Sequence, residues 1–370
     1  KPKQKTTQEI YMTVPKQYVT LSKGILKSSE NLGENLRTDH WVMDKKHAPY
    51  LFFMGVGEYA VIKDKWRNID VDYYVEKEYE PYAKQIFGNT PEMIEFFSKK
   101  LNYDFPWQKY AQIVGRDYVS GAMENTTAVS HEESAQQKAG DLADENKWED
   151  VIAHELFHHW FGDLVTAESW SNLTVNESFA DYSEYLWNEY KYGKDEADYK
   201  RLKSLRNFKA DPRNFCKDLV RFNYESREDM FDGVSYNKGG GILHMLRNYL
   251  GDDAFFAGLS DYLKTNEYGT GEAHQLRLSL EKVSGKDLNW FFNQWYFGKG
   301  YPKLEVKSTF DPMKKQVTVN VAQTQEEKFE FPLSIDVLEN GKIFRKEVWV
   351  TAKAKNDFVF DVTKNPELVN

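Results

Sequence analysis

The segment His154-Glu155-Leu156-Phe157-His158 constrains this chain more than any other part of the sequence. Residues four positions apart lie on one face of an α-helix, so both imidazoles can reach a single metal ion. Glu155 then stands beside the open coordination position, where it can accept a proton from metal-bound water. The alternative is a buried helix with two structural histidines. The apolar neighbours Ile152 and Trp160 do predict burial, but burial disfavours unpaired polar groups, and a metal ion relieves that problem.

A third ligand decides which kind of metal site is expected. Glu177 follows His158 after eighteen residues and lies on the next predicted helix. A carboxylate from a second helix completes three protein ligands and leaves one position for water, as in catalytic zinc sites. A metzincin would carry glycine and histidine where this chain has Phe161 and Leu164, so that class is excluded. We therefore expect one Zn²⁺ per chain, bound by His154, His158 and Glu177.

Two further carboxylates, Asp181 and Glu184, lie one and two helical turns beyond Glu177. Either of them can orient a metal-binding imidazole through its second ring nitrogen. An ordinary salt bridge explains both residues equally well. The sequence leaves these alternatives open.

Composition excludes several other classes of site and partner. The single cysteine, Cys216, rules out an intramolecular disulfide and a thiolate-rich metal site. The net charge is −9 and no long basic cluster is present, which argues against nucleic-acid binding. No apolar run approaches the roughly 20 residues that a transmembrane helix needs. We expect a soluble protein, cytoplasmic or in the cell envelope after removal of a signal, and the compartment stays open.

The period of the hydrophobic pattern changes twice along the chain, which predicts an α+β multidomain fold. Residues 1–68 are rich in strand-forming residues. Residues 69–301 are mainly helical, and Thr90 as N-cap with Pro91 predicts a helix start there. A strand is expected over residues 111–120, and further helices over 147–161, 175–191, 239–264 and 272–284. Strand-like alternation returns in residues 302–370, where Asn340-Gly341 predicts a hairpin turn. We predict a β segment, a mainly helical catalytic domain, and a small β-sandwich domain.

Several segments together resemble the aminopeptidase N family of zinc peptidases, the gluzincin aminopeptidases. They occur in the family's order and with its spacing along the whole chain. They are Gly121-Ala122-Met123-Glu124-Asn125, His154 to Gly162, Asn176-Glu177, Ser235 to Gly239, Asn293-Gln294-Trp295 and Gly300-Tyr301-Pro302. The resemblance implies that residues 69–301 form a thermolysin-like zinc domain. Residues 1–68 would then be the end of an N-terminal β domain.

The resemblance also implies roles for individual residues. Glu155 would be the general base, and Glu124 would bind the free α-ammonium group of a peptide. Tyr236 would stabilise the oxyanion. The segment around Glu124, namely Gly121, Ala122, Met123 and Asn125, would bind the peptide backbone as an added strand. Ser120 would line the pocket for the first substrate side chain, and a serine there predicts tolerance of bulky residues.

The chain departs from the family's pattern in three respects. Ser178 stands where many members have glycine, and we expect little effect. Phe231 stands where leukotriene hydrolase has a further tyrosine, so we exclude its epoxide chemistry. Upstream strands and a helical C-terminal domain of the family lie outside this sequence. If the chain is the whole molecule, we expect an open site, weak activity and a tendency of exposed strands to self-associate.

The sequence predicts a metallo-exopeptidase that acts on peptides with a free N-terminus. An endopeptidase with the same zinc helix is disfavoured by Glu124, whose natural partner is a free amino group. A catalytically weak core or a peptide-binding scaffold of the same family is the remaining alternative, and Glu155 with Tyr236 argues against it. The sequence indicates neither the preferred side chain nor the oligomeric state.

Overall fold

A computed structural model describes residues 2–370, which divide into two compact units. The larger unit extends to Asn214 and resumes over Asp218–Phe297. The smaller unit comprises Phe215–Lys217 and Gly298–Asn370. Within the described residues, no helix is long and apolar enough to cross a membrane.

The amino-terminal part of the larger unit is built from strands, as its composition predicts. They are β1 (Thr6–Pro15), β2 (Val19–Ser22), β3 (Ile25–Leu32), β4 (Leu36–His47), β5 (Met54–Gly57), β6 (Tyr59–Trp66) and β7 (Ile69–Glu76). Strands β1, β4 and β3 form one antiparallel sheet in that order, and β2 pairs with β5. A short 3-10 helix, Pro49–Leu51, separates β4 from β5.

A mixed sheet in the order β6-β7-β8-β10-β9 joins these strands to the helical part. Its further members are β8 (Lys109–Gly115), β9 (Ala122–Met123) and β10 (Val129–Glu132). The strand expected over residues 111–120 thus ends at Gly115, and a loop leads to β9. Because β9 pairs only with β10, along Ser130 and His131, it is an edge strand whose other side is open. Leu21, Tyr74 and Ile113 share one buried apolar cluster beneath this region.

The helices of the larger unit include those that the sequence predicts. They are α1 (Ala83–Phe87), α2 (Thr90–Lys100), α3 (Glu149–Phe157), α4 (Thr174–Lys191), α5 (Lys194–Ala210), α6 (Gly239–Leu250), α7 (Asp252–Asn266), α8 (Ala273–Ser284) and α9 (Asn289–Trp295). Of these, α1, α5 and α9 are additional to the predicted helices. The short strands β11 (Thr166–Ala167) and β12 (Thr270–Gly271) pair with each other.

Two details of the helical part differ from the sequence-based expectation. Thr90 does not cap α2: it is the first helical residue, and its hydroxyl donates to the carbonyl of Phe87 instead. The helix expected over residues 239–264 is two helices, α6 and α7. The break is at Gly251, whose φ of 83° is a conformation that favours glycine.

The packing of α3 against α4 positions the site described below. Buried aromatic rings fill the space around the end of α3. The Phe161 and Phe179 rings stack with centroids 4.1 Å apart, and Phe157 stacks on Phe161 at 5.2 Å. Such stacked rings hold the two helices together through a large buried apolar area.

The smaller unit contains two antiparallel sheets. Their strands are β13 (Leu304–Asp311), β14 (Gln316–Gln323), β15 (Phe331–Glu339), β16 (Lys342–Val350), β17 (Lys355–Asp361) and β18 (Leu368–Val369). One sheet has the order β13-β14-β17 and the other β16-β15-β18. Val319, Val321 and Val337 belong to its buried cluster, as the alternating pattern predicts. Asn340 and Gly341 both have positive φ and connect β15 to β16, so the predicted hairpin is present.

Candidate metal and substrate site

Three side chains from α3 and α4 meet at one point in the larger unit. The ligand atoms of His154, His158 and Glu177 all lie within 4.8 Å of one another. Nε2 of His154 is 3.5 Å from Oε2 of Glu177, and Nε2 of His158 is 3.3 Å from the same oxygen. Donor atoms about 2.0–2.1 Å from a tetrahedral zinc ion are separated from each other by about 3.4 Å. The donor set therefore fits a zinc ion in both chemistry and spacing.

The other ring nitrogen of each histidine is held by a hydrogen-bond acceptor. Nδ1 of His154 lies 2.9 Å from Oε1 of Glu184, and Nδ1 of His158 lies 2.9 Å from the carbonyl oxygen of Phe161. Because neither oxygen can donate, Nδ1–H of each ring is the donor. In the neutral rings the lone pair is therefore on Nε2, which points to the shared centre.

These contacts show which of Asp181 and Glu184 lies beside a histidine of the cluster, a question that the sequence left open. Glu184 lies beside the imidazole of His154, whereas Asp181 accepts a hydrogen bond from Asn237 at 3.4 Å. The carbonyl of Phe161 was not anticipated, because every residue has a backbone carbonyl and the side-chain sequence does not show which one accepts a hydrogen bond.

Burial and close charges perturb the ionisation of this cluster. Burial opposes the charged form of His158, but the attraction of Glu177 and Glu124 outweighs it and raises the pKa to about 9. Burial also raises the pKa of Glu155 to about 7, against the opposing effect of the two histidines. Oε2 of Glu155 is buried and has no hydrogen-bond partner among the described residues. This oxygen is free to accept a proton from a reacting molecule.

The segment from Gly121 to Asn125 lies next to the same centre. Ligand atoms of Glu124, Glu155 and His158 also lie within 4.8 Å of one another. Ala122 and Met123 form the partly exposed edge strand β9, so their outer side can accept a further strand. Asn125 is buried and donates to Oγ of Ser130 at 2.8 Å, which fixes the turn after the edge strand.

Ser120 lies just before this edge strand and is exposed. Its hydroxyl donates to the carbonyl oxygen of Ala122 at 3.2 Å. Among the described residues other than its two chain neighbours, no atom lies within 4 Å of the place where a Cβ on Gly121 would be. The start of β9 is therefore open to a ligand.

Glu124 has a partner that sequence reasoning missed. The hydroxyl of Tyr50, from the short helix between β4 and β5, donates to Oε1 of Glu124 at 3.3 Å. Lys23 is also electrostatically coupled to Glu124, although burial lowers its pKa well below the usual value. Both residues lie in segments that connect the amino-terminal strands, and no local motif connects them with Glu124.

His159 connects the two halves of the site and was likewise missed. Its Nε2 accepts a hydrogen bond from the backbone N–H of Thr127 at 2.9 Å, so the proton is on Nδ1. That Nδ1–H donates to the carbonyl of Glu155 at 3.2 Å. Burial lowers the pKa of His159 to about 3, so the ring stays neutral. The neutral ring ties the loop after Glu124 to the helix that carries Glu155.

Tyr236 completes the group of residues that the sequence singled out. It lies in a single π-helical turn, Val234–Lys238, and its ring stacks on that of His154 with centroids 5.9 Å apart. Burial, followed by the charges of Glu177 and Glu124, raises its pKa well above the usual value. The phenol therefore stays protonated and can donate a hydrogen bond.

Comparisons with known proteins agree on one family. A model described as the peptidase family M1 domain matches residues 86–295. Tricorn protease-interacting factor F2 of Thermoplasma acidophilum is 30% identical over 277 residues, covering 70% of this chain and 34% of that protein. Aminopeptidase M1 of Arabidopsis thaliana is 29% identical over 320 residues, covering 83% of this chain and 36% of that protein. This chain thus spans about a third of the length of these relatives.

A solved structure shows the same fold. It is Legionella pneumophila aminopeptidase A in complex with aspartic acid. The TM-score is 0.84, and the alignment covers 99% of this chain and 43% of that one. Only 20% of the aligned residues are identical, so this likeness concerns the fold.

Proposed function

This chain belongs to peptidase family M1, and on that premise we propose that it is a zinc-dependent aminopeptidase. It would hydrolyse the N-terminal peptide bond of peptides. The observation that carries the proposal is the convergence of Glu124 and Glu155 on the His154–His158–Glu177 centre. The carboxylate of Glu124 can bind a free amino group, and the carboxylate of Glu155 can accept a proton from a water molecule. Both lie within reach of one peptide bond.

His154, His158 and Glu177 would hold the zinc ion. When bound, zinc polarises the scissile carbonyl and lowers the pKa of water to about 7. Glu155 takes a proton from the attacking water and later delivers it to the leaving amine. Its buried Oε2, which lacks a protein partner, is suited to both transfers.

Glu124 would make the enzyme an exopeptidase. An α-amino group has a pKa near 8 and is mostly cationic at neutral pH. The side chain of Glu124 is 6% exposed, and in such a site its carboxylate forms a charge-assisted hydrogen bond with that cation. The open side of β9 would align the substrate backbone, and Ser120 would face the first substrate side chain.

Tyr236 would donate a hydrogen bond from its phenol to the oxyanion of the tetrahedral intermediate. The stacking of its ring on His154, one of the proposed zinc ligands, supports this role. We further propose that residues 69–301 are a thermolysin-like catalytic domain, between an N-terminal β segment at 1–68 and a β-sandwich at 302–370.

The proposal is tested by measuring bound zinc and the hydrolysis of leucine arylamide on the same samples. Wild type should contain one zinc ion per chain and release the arylamine. Glu155→Gln should retain the zinc and lose about 10²–10⁴-fold in turnover. His158→Ala should lose both. Zinc retained at full occupancy in His158→Ala would contradict the ligand assignment, and zinc-loaded wild type without turnover would favour a peptide-binding scaffold.

A further inference from the structure

The segment that presents Tyr236 is a single π-helical turn, Val234–Lys238, at the start of α6. It closes with a hydrogen bond from the N–H of Lys238 to the carbonyl of Gly233, at 2.9 Å. Such single turns are rare and are frequent at functional sites. Side chains before the turn and on α4 bond its backbone and so contribute to where Tyr236 lies.

Asp232 supplies the first of these contacts, at the start of the turn. Its Oδ1 accepts from the backbone N–H of Val234 at 3.0 Å and from that of Ser235 at 3.2 Å. Its backbone carbonyl accepts from the N–H of Tyr236 at 3.1 Å. One aspartate thus binds three consecutive N–H groups, up to and including that of Tyr236.

Arg221 holds the other oxygen of the same carboxylate. Its Nη2 lies 2.8 Å from Oδ2 of Asp232, and the two side chains are only 10% and 16% exposed. The guanidinium also donates to the carbonyls of Asp218 and Asp229, each at 3.0 Å. The backbone N–H of Arg221 donates to the carbonyl of Ser171, just before α4, at 3.3 Å. Arg221 therefore holds Asp232 against the surrounding backbone, and both side chains are largely shielded from solvent.

The opposite side of the turn is held by α4. The hydroxyl of Ser178 donates to the carbonyl of Ser235 at 2.6 Å. A Cβ on Gly239 would lie 1.8 Å from that hydroxyl, so the approach is as close as glycine permits. The turn is also held by Ser235, whose hydroxyl donates to the carbonyl of Met230 at 2.6 Å, and by Asn237, which donates to Oγ of Ser204 at 3.0 Å. Asp232 and Arg221 hold the backbone N–H groups at its start.

We propose that Asp232, oriented by Arg221, is a positioning residue for Tyr236. This inference rests on the proposed role of Tyr236 as the oxyanion donor. An oxyanion donor must lie about 2.7–3.1 Å from its oxygen, and a misplacement near 1 Å can lower the rate by about 10²-fold. Asp232 and Arg221 contact the turn and not the reacting atoms, so they act only through Tyr236.

The variants should show a graded loss of turnover. Asp232→Ala removes the side-chain acceptor of the Val234 and Ser235 N–H groups and the ion pair with Arg221, and should lower kcat about 10- to 100-fold with KM nearly unchanged. Asp232→Asn keeps a side-chain acceptor and should lower kcat less than Asp232→Ala does. Arg221→Lys keeps the positive charge but lacks the planar guanidinium, so its kcat should also lie between those of wild type and Asp232→Ala. Asp336→Ala is the matched control, because it breaks a bidentate pair with Arg345 in the other unit.

A double-mutant cycle with Tyr236→Phe decides between positioning and general destabilisation. If Asp232 acts through Tyr236, the double variant should be no slower than Tyr236→Phe alone, with zinc content at the wild-type level. Losses that multiply, or an unchanged kcat in Asp232→Ala, would overturn the positioning role. If Asp232→Ala does not fold, Asp232→Asn and Arg221→Lys enter the same cycle with the same criterion. An unaffected Tyr236→Phe would instead overturn the proposed role of Tyr236, and the positioning role with it.

Discussion

The hydroxyl of Tyr50 lies 3.3 Å from Oε1 of Glu124, although 74 positions separate the two residues. The same hydroxyl accepts a hydrogen bond of 3.5 Å from Nδ2 of Asn176, the neighbour of Glu177. Burial and the charge of Glu124 raise the pKa of Tyr50 well above its usual value, so the phenol remains a donor. Tyr50 therefore links the carboxylate proposed to bind the substrate amine with the helix that carries a proposed zinc ligand.

Removing that hydroxyl should weaken the recognition of the amine. Tyr50→Phe deletes one hydrogen bond to a carboxylate; such bonds contribute about 1.5–3 kcal/mol, and this one, which is long at 3.3 Å, should contribute about 1 kcal/mol. We expect kcat/KM for aminoacyl arylamides to fall by about 3- to 10-fold, mainly through KM. Steady-state kinetics of the zinc-loaded variant provides the measurement.

The control for this experiment is Tyr73→Phe. Tyr73 is a buried tyrosine whose hydroxyl donates to Asp64 at 2.8 Å, away from the site. It should lower stability without changing KM. An equal change of KM in both variants would mean that Tyr50 acts through stability alone.

The contact of Glu184 with His154 predicts an effect on the metal. Partners of this kind orient a metal-binding imidazole, and their loss typically lowers metal affinity by about 10- to 100-fold. Glu184→Ala should therefore release zinc to a chelator at a lower chelator concentration than wild type. Glu189→Ala, on the same helix, removes a carboxylate that pairs with Arg247 at 2.7 Å, and should bind zinc normally. Identical zinc affinity in Glu184→Ala and wild type would refute this role for Glu184.

His131 predicts how stability changes with pH. Trp148 Nε1–H donates to its Nδ1 at 3.1 Å, so that nitrogen must stay unprotonated, while Nε2–H donates to Gln112 at 3.0 Å. Burial lowers the pKa of His131 to about 3. The unfolded chain, with a histidine pKa near 6.5, therefore binds more protons than the folded chain between about pH 6.5 and 3.

The free energy of unfolding should therefore fall as pH drops through that window. His131 alone contributes a slope of up to about 1.4 kcal/mol per pH unit. Urea unfolding of wild type and His131→Gln at pH 7 and pH 5 measures the difference. The variant should be less stable at pH 7 and lose less stability on acidification. Parallel losses in both proteins would show that His131 does not carry this dependence.

The sequence predicted the parts of the site that depend on local geometry. The spacing of His154 and His158 required only a helix, and the structure brings Glu177 to the same centre. The contribution of Tyr50 could not be predicted, because it depends on a contact between the short helix Pro49–Leu51 and Glu124, which lie far apart in the sequence. The proton position on His159 depends on a backbone N–H of Thr127, 32 positions earlier in the chain, and could not be predicted either.

Other differences between the sequence-based expectations and the structure arose where tertiary packing determines which contact a residue makes. Glu184 and Asp181 both lie on α4, and only their directions relative to α3 separate the imidazole partner from the partner of Asn237. Ser178, expected to matter little, bonds the backbone of the turn that carries Tyr236. The single helical stretch expected near residues 239–264 missed the break at Gly251, although the sequence Gly251-Asp252-Asp253 carries a helix-end and helix-start signal.

The most direct test of an aminopeptidase compares one peptide with a free N-terminus and the same peptide with an acetylated N-terminus. Mass spectrometry of the products over time, with Glu155→Gln as the blank, gives both the rate and the position of cleavage. The zinc-loaded protein should shorten the free peptide one residue at a time from its N-terminus and leave the acetylated peptide intact. Equal cleavage of both peptides, or cleavage at internal bonds, would contradict the role of Glu124 and the account built on it.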